Sequence, residues 1–193
     1  MLKEAGSFFA IAFVLFVGAY VFIASQGGNP NALFSHSPLA HVAQASGPSV
    51  IGGPSLSAQK VDHVLSSAQS PAAGTGQALY DLSAQYGIDD AFALAVFKHE
   101  SNYGKYGVAS QSLSLGNLRC VPGAACVNDY AYFNSWQDGY RAFYTLISGP
   151  LYKGSGLTTP ESIMTRYAPS GDNNDPTGYA ADVEQSIQTW RQS

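Results

Sequence analysis

The sequence predicts a mainly α domain with an irregular middle, carried behind an N-terminal transmembrane helix and a flexible linker. Three observations predict it. Residues 7–24 contain no charged side chain. Residues 25–75 are rich in Ser, Ala, Gly, Pro and Gln and poor in charge. Beyond them, apolar residues recur at helical spacing between start and stop signals.

Eighteen residues at about 1.5 Å each give roughly 27 Å of helix, close to the hydrocarbon thickness of a bilayer. Only Lys3 and Glu4 precede this run. A cleavable signal segment is the alternative, since Ala24-Ser25-Gln26 offers small residues. The apolar run exceeds the usual signal core of about 7–15 residues, which favours an uncleaved anchor. The expected organisation is a short cytoplasmic N-terminus at 1–6, the anchor at 7–24, the linker at 25–75 and one folded domain at 76–193. That domain is expected outside the cytoplasm, in the cell envelope, or secreted if the first segment is cleaved. The linker composition cannot bury enough apolar surface to offset chain entropy, although Val61 to Gln69 could form a short helix.

Within the folded part, Ala78, Leu79, Leu82 and Tyr86 share one helical face, and Gly87 stops that helix. Asp89 caps the next helix, which ends near Gly104. Ser135 and Asp138 open another that runs to about Ser148, before Gly149-Pro150. Thr159, Pro160 and Glu161 begin a helix to Tyr167. Tyr179, Val183, Ile187 and Trp190 form the stripe of the last. Between Ser110 and Phe133 the pattern is irregular, with room for a short hairpin.

The formal net charge is −4, with 9 Lys and Arg against 13 Asp and Glu. No basic cluster exists, so a nucleic-acid partner is not expected. Cys120 and Cys126 are close together, and in an exported protein this spacing suggests a disulfide closing a small loop. Two cysteines and scattered histidines make no metal site, and no cofactor is indicated.

The chemistry concentrates where the apolar run Ala91 to Phe97 meets Lys98-His99-Glu100. A helix this apolar is buried on most sides. A glutamate at its end stands at the border of core and cleft, where desolvation raises the pKa. A carboxylic acid that keeps its proton near neutral pH is what glycoside cleavage needs as general acid. Glutamates at helix ends are also common as plain surface groups. Asp129, Asp172 and Asp175 are candidates for a second carboxyl, and the last two equally suit a turn-rich loop. His99, about 100° around the helix from Glu100, is expected to pack or face solvent.

Four segments resemble the glucosaminidase family, the family 73 glycoside hydrolases of the lysozyme-like superfamily. They are His99-Glu100-Ser101-Asn102-Tyr103-Gly104, Leu113-Ser114-Leu115-Gly116-Asn117-Leu118-Arg119, Tyr132-Phe133-Asn134-Ser135-Trp136-Gln137-Asp138-Gly139, and Arg166-Tyr167-Ala168-Pro169 with Asp175-Pro176 and Tyr179. The resemblance spans Gln77 to Trp190. It implies a lysozyme-like α domain with a small β part, and peptidoglycan glycan strands as partner. The activity it implies is cleavage of β-1,4 bonds by an endo-β-N-acetylglucosaminidase with Glu100 as acid and Tyr167 across the cleft. Tyr103 and Tyr106 are then expected to stack on sugar. Asn117, Asp175 and Tyr179 are expected to touch substrate, with loop bracing as the alternative for Asn117 and a core-edge aromatic as the alternative for Tyr167. The family's Thr-Asp-Pro is expanded here to Pro-Ser-Gly-Asp-Asn-Asn-Asp-Pro, which leaves the partner of Asp175 open. A lytic transglycosylase or muramidase using the same acid, and a glycan-binding module without turnover, are the other readings.

Overall fold

A computed structural model describes residues 47–193. The expected anchor at 7–24 and the first part of the expected linker lie outside the described residues. No helix among the described residues is long and apolar enough to cross a membrane.

The described chain is mainly helical, with one small two-stranded sheet. Its helices are α1 (Ala58–Ser67), α2 (Gly76–Tyr86), α3 (Asp90–Ser101), α4 (Ala109–Ser112), α5 (Trp136–Ser148), α6 (Pro160–Tyr167) and α7 (Pro176–Gln192). The strands β1 (Ala125–Val127) and β2 (Tyr130–Tyr132) pair antiparallel, with Cys126 opposite Ala131. Their turn residues Asn128 and Asp129 both have positive φ, as a tight two-residue hairpin demands.

Helix α3 is the centre. Every residue from Asp90 to Phe97 is buried, so its first two turns have no solvent face. Asp89 starts it, its side chain accepting from the Ala91 amide. Helix α7 packs along it, and α6 packs on α7. Helix α5 presents Tyr140, Phe143, Tyr144 and Ile147 inward. The Phe97 ring stacks on Tyr140 at 5.5 Å and meets Phe143 edge-on at 4.9 Å. Such aromatic pairs add about 0.5–1.5 kcal/mol each beyond the area they bury. Capping follows the sequence signals: Ser135 accepts from Asp138, and Thr159 and Ser162 form a reciprocal capping box behind Pro160.

The folded unit begins earlier than residue 76. Residues 50–75 were expected to be linker, yet Val50, Leu56, Val61, Leu65 and Ala72 are all buried. Helix α1 packs against α2, and the Asp62 carboxylate accepts the Gly76 amide at 2.7 Å. The segment before α1 is tied to α3 as well. The Asp89 amide donates to the Val50 carbonyl at 2.8 Å, and the Ser55 and Leu56 amides donate to Asp90 Oδ1. Arg191 of α7 pairs with Asp89, closing the same corner. A Ser/Gly/Pro-rich composition conceals this, because five widely spaced apolar residues do the anchoring. Burial is worth about 1.5–3 kcal/mol for each full aliphatic side chain. A chain begun at residue 76 should therefore lose its cooperative thermal transition, while one begun at residue 47 keeps it, as followed by circular dichroism.

Candidate active site

The C-terminal end of α3 is reversed sharply. Asn102, Tyr103 and Gly104 take φ values of 47°, 59° and 87° in succession. Ser101 closes the reversal: its hydroxyl donates to the Leu115 carbonyl at 2.7 Å and accepts the Gly104 amide at 2.8 Å. A Cβ on Gly104 would stand 2.7 Å from Leu115 Cδ2 and 3.2 Å from the Trp136 ring. Glycine is thus required by both backbone conformation and space. Ser101 was not singled out from sequence as a site residue. Its place between Glu100 and the left-handed turn was the available signal.

Glu100 ends this helix beside two partners. The Tyr179 hydroxyl of α7 donates to Glu100 Oε1 at 2.7 Å. The Asn117 amide group donates to the Glu100 carbonyl at 2.9 Å, satisfying a backbone oxygen that the helix end leaves free. Burial pushes the Glu100 carboxyl up to about 7, against the opposing hydrogen bonds of Tyr179 and Asn117. No neighbouring carboxylate is among the causes. The site is therefore a single part-buried acid that holds its proton well above the ordinary carboxyl range.

Tyr179 is held from both sides. The His99 ring stacks on it with centroids 3.7 Å apart and planes 18° from parallel. His99 Nδ1 lies 3.5 Å from Asp182 Oδ2, one helical turn along α7. Burial lowers the His99 pKa, outweighing the attraction of Asp182, and Lys98 lowers it further. His99 was expected only to pack or to face solvent. The stack makes it the clamp on the tyrosine that touches Glu100. Burial and the charge of Glu100 hold the Tyr179 hydroxyl well above its ordinary pKa, so it remains a donor.

The other expected residues separate. Tyr167 is 3% exposed, and its hydroxyl donates to the Gly116 carbonyl at 2.9 Å. Its ring meets Tyr179 edge-on at 6.4 Å. A Cβ on Gly116 would press on that hydroxyl at 3.2 Å, which explains a glycine there. Tyr103 is 5% exposed, and its carbonyl accepts from Ser70. Its left-handed backbone turns the ring into the core, so it offers no face to a sugar. Tyr106, by contrast, is 65% exposed. The adjoining Gly107 lies against the Asn117 amide, 3.7 Å from a Cβ built there. Asp175 caps α7 by accepting the Gly178 amide at 3.0 Å and is exposed. Asp129 is exposed in the hairpin turn, and Asp172 sits in a short 3-10 turn. None of the three aspartates bonds to the Glu100 group among the described residues.

Beyond Asn117 lies a cavity of about 200 Å³, lined by Leu118, Leu151, Tyr152 and Tyr167 among others. Asn117 Oδ1 is buried without a hydrogen-bond partner. An unpaired buried acceptor costs about 1–3 kcal/mol. Cys120 and Cys126 form a disulfide at one edge of this cavity. Among the described residues, no group of three or more His, Cys, Asp or Glu side chains stands ready to hold a metal ion.

No protein-family model matches this chain, and no curated protein matches it.

Two outcomes follow from the geometry. The folded state keeps the Glu100 proton between the ordinary carboxyl pKa of 4.5 and about 7, whereas the unfolded chain has released it. This contribution to stability is full below about pH 4.5 and is lost as pH rises through 7. Glu100→Gln has no proton to lose. It should leave the melting temperature unchanged near pH 4.5 and raise it at pH 8, by on the order of 3 kcal/mol of unfolding free energy. Tyr179→Phe removes a bond to the charged form. The Glu100 titration, followed by carboxyl carbon NMR, should move up by about one unit.

Proposed function

We propose that this chain is a peptidoglycan hydrolase of lysozyme-like fold, cleaving β-1,4 bonds of the wall glycan with Glu100 as general acid. The observation that carries the proposal is the Glu100 carboxyl: part-buried, hydrogen-bonded by Tyr179 and pushed up to about 7. General acids work best with a pKa near the operating pH. The four sequence segments that resemble the glucosaminidase family support the same reading. In this reading residues 7–24 tether the domain to the outer side of the cytoplasmic membrane, and Tyr106 stacks on sugar.

In this reading the apolar cavity bordered by Asn117 takes the methyl of an acetamido group. An N-acetylated sugar is thereby favoured over a plain hexose. Glu100 gives its proton to the glycosidic oxygen as the bond to the anomeric carbon breaks. The sugar's own acetamide oxygen closes on that carbon, and water then reopens the ring while returning a proton to Glu100. Such assistance by the substrate is an established exception to the two-carboxylate rule.

A lytic transglycosylase is the second reading, and the same single carboxyl favours it. There the muramyl 6-hydroxyl, rather than water, captures the anomeric carbon. Mass spectrometry of fragments released from purified sacculi separates the two. Reducing-end N-acetylglucosamine is expected, and anhydromuramyl ends would move the chain to the transglycosylases. Glu100→Gln should release neither. Sustained release by that variant would exclude Glu100 as the acid. The wild-type rate should fall about ten-fold per unit once pH exceeds about 7, because only the protonated form acts.

A further inference from the structure

The disulfide loop, 120–126, takes no part in the chemistry above, and both of its cysteines are exposed. It nevertheless builds a surface. Between this loop and α5 runs a groove of about 580 Å³. That lies within the range of about 300–1,000 Å³ typical of ligand pockets. The groove shares Val121, Pro122 and Leu146 with the smaller cavity beside Asn117, so one wall separates and joins the two. Its floor and walls are apolar, from Val121, Ala142 and Leu146, with Phe133 at the side. Its charged lining consists of Arg141 and Asp138. Arg141 makes no ion pair among the described residues. Asp138 is fixed by accepting the Ser135 hydroxyl through Oδ2 at 2.7 Å, which leaves Oδ1 for a ligand.

We propose that this groove binds the peptide that peptidoglycan carries on its glycan, taking a carboxylate on Arg141 and an ammonium on Asp138. The proposal rests on the hydrolase reading. An uncharged N-acetylated glycan gives neither side chain a partner, whereas the attached peptide offers carboxylates and, at a diamino residue, an ammonium. An arginine and a carboxylate form a directional, charge-assisted pair. Complementary charge also steers the substrate and fixes its register. The peptide leaves the glycan beside the scissile bond, and the groove meets the cavity bordered by Asn117 at Val121, Pro122 and Leu146. The Cys120–Cys126 bond holds that wall in one shape against the helix. It thereby lowers the ordering cost of binding.

The test compares glycan strands that bear their peptides with strands stripped of them by an amidase, using the full chain. The wild type should show kcat/KM higher by on the order of ten-fold on the peptide-bearing strands. Arg141→Ala should abolish that preference by raising KM with kcat retained, and should leave turnover of the stripped strands unchanged. Arg141→Lys should restore part of it. Equal turnover of both substrates by the wild type, or an equal loss on both in Arg141→Ala, would overturn the proposal. If the wild type cleaves neither substrate, the hydrolase reading fails by itself. The groove is then decided by NMR titration with a soluble peptide carrying free carboxylates and a diamino residue. Shifts at Arg141 and Val121 that vanish in Arg141→Ala support the groove. Their absence in the wild type, or their persistence in the variant, rejects it.

Discussion

Helix α3 has an acid at each end, and the structure around it depends on enclosing both carboxyls, where burial holds each proton above the ordinary carboxyl range. At the N-terminal end, Asp90 is fully buried, and burial pushes its carboxyl up to about 6. Two backbone amides, from Ser55 and Leu56, oppose that shift. The positive end of the helix dipole acts in the same direction. At the C-terminal end, Glu100 has one hydroxyl donor on its carboxyl and the negative end of the dipole beneath it. Burial nevertheless pushes its carboxyl up to about 7.

Holding the Glu100 carboxyl in one place requires rigid neighbours, and the surrounding packing supplies them. Ser101 straps the end of α3 to Leu115, which fixes the loop that presents Asn117. Asn117 reaches back to the Glu100 carbonyl. From the other side, α7 lies along α3 and delivers Tyr179 to the carboxyl and Asp182 to His99. The His99–Tyr179 stack then couples consecutive residues of α3 to one face of α7. Few of these groups can move alone, because each has a partner on another element. Such mutual support is what positions a reactive group within the small tolerance that proton transfer allows.

Much of this was legible in the sequence, for reasons that differ by element. Caps at Asp89, Ser135 and Thr159 are local chemistry, and the helices they start were readable because neighbouring residues decide them. Glu100 was readable because an apolar run ended in a charge. Val50 and Leu56 were not, since isolated apolar residues in a Ser/Gly/Pro-rich stretch have no period to reveal them. Tyr103 was misread for a related reason. Exposure in a loop is decided by backbone handedness, and nothing in Asn-Tyr-Gly announces three successive left-handed residues. Tyr179 was picked out as a site residue, yet its bond to Glu100 spans 79 positions of sequence. His99 was passed over, because its partners Tyr179 and Asp182 lie on a helix packed from the far end of the chain.

The same logic explains where the molecule tolerates unsatisfied groups. Asp90 Oδ2 and Asn117 Oδ1 are both buried without a partner, yet their surroundings differ. Asp90 is sealed beneath the 50–56 segment, where a carboxyl that keeps its proton near pH 6 relieves part of the cost. A carboxamide has no such recourse, because it cannot gain or lose a proton at these pH values. Asn117 is held in a left-handed conformation, with its amide nitrogen committed to Glu100. Its oxygen is thereby fixed in direction as well as left unpaired.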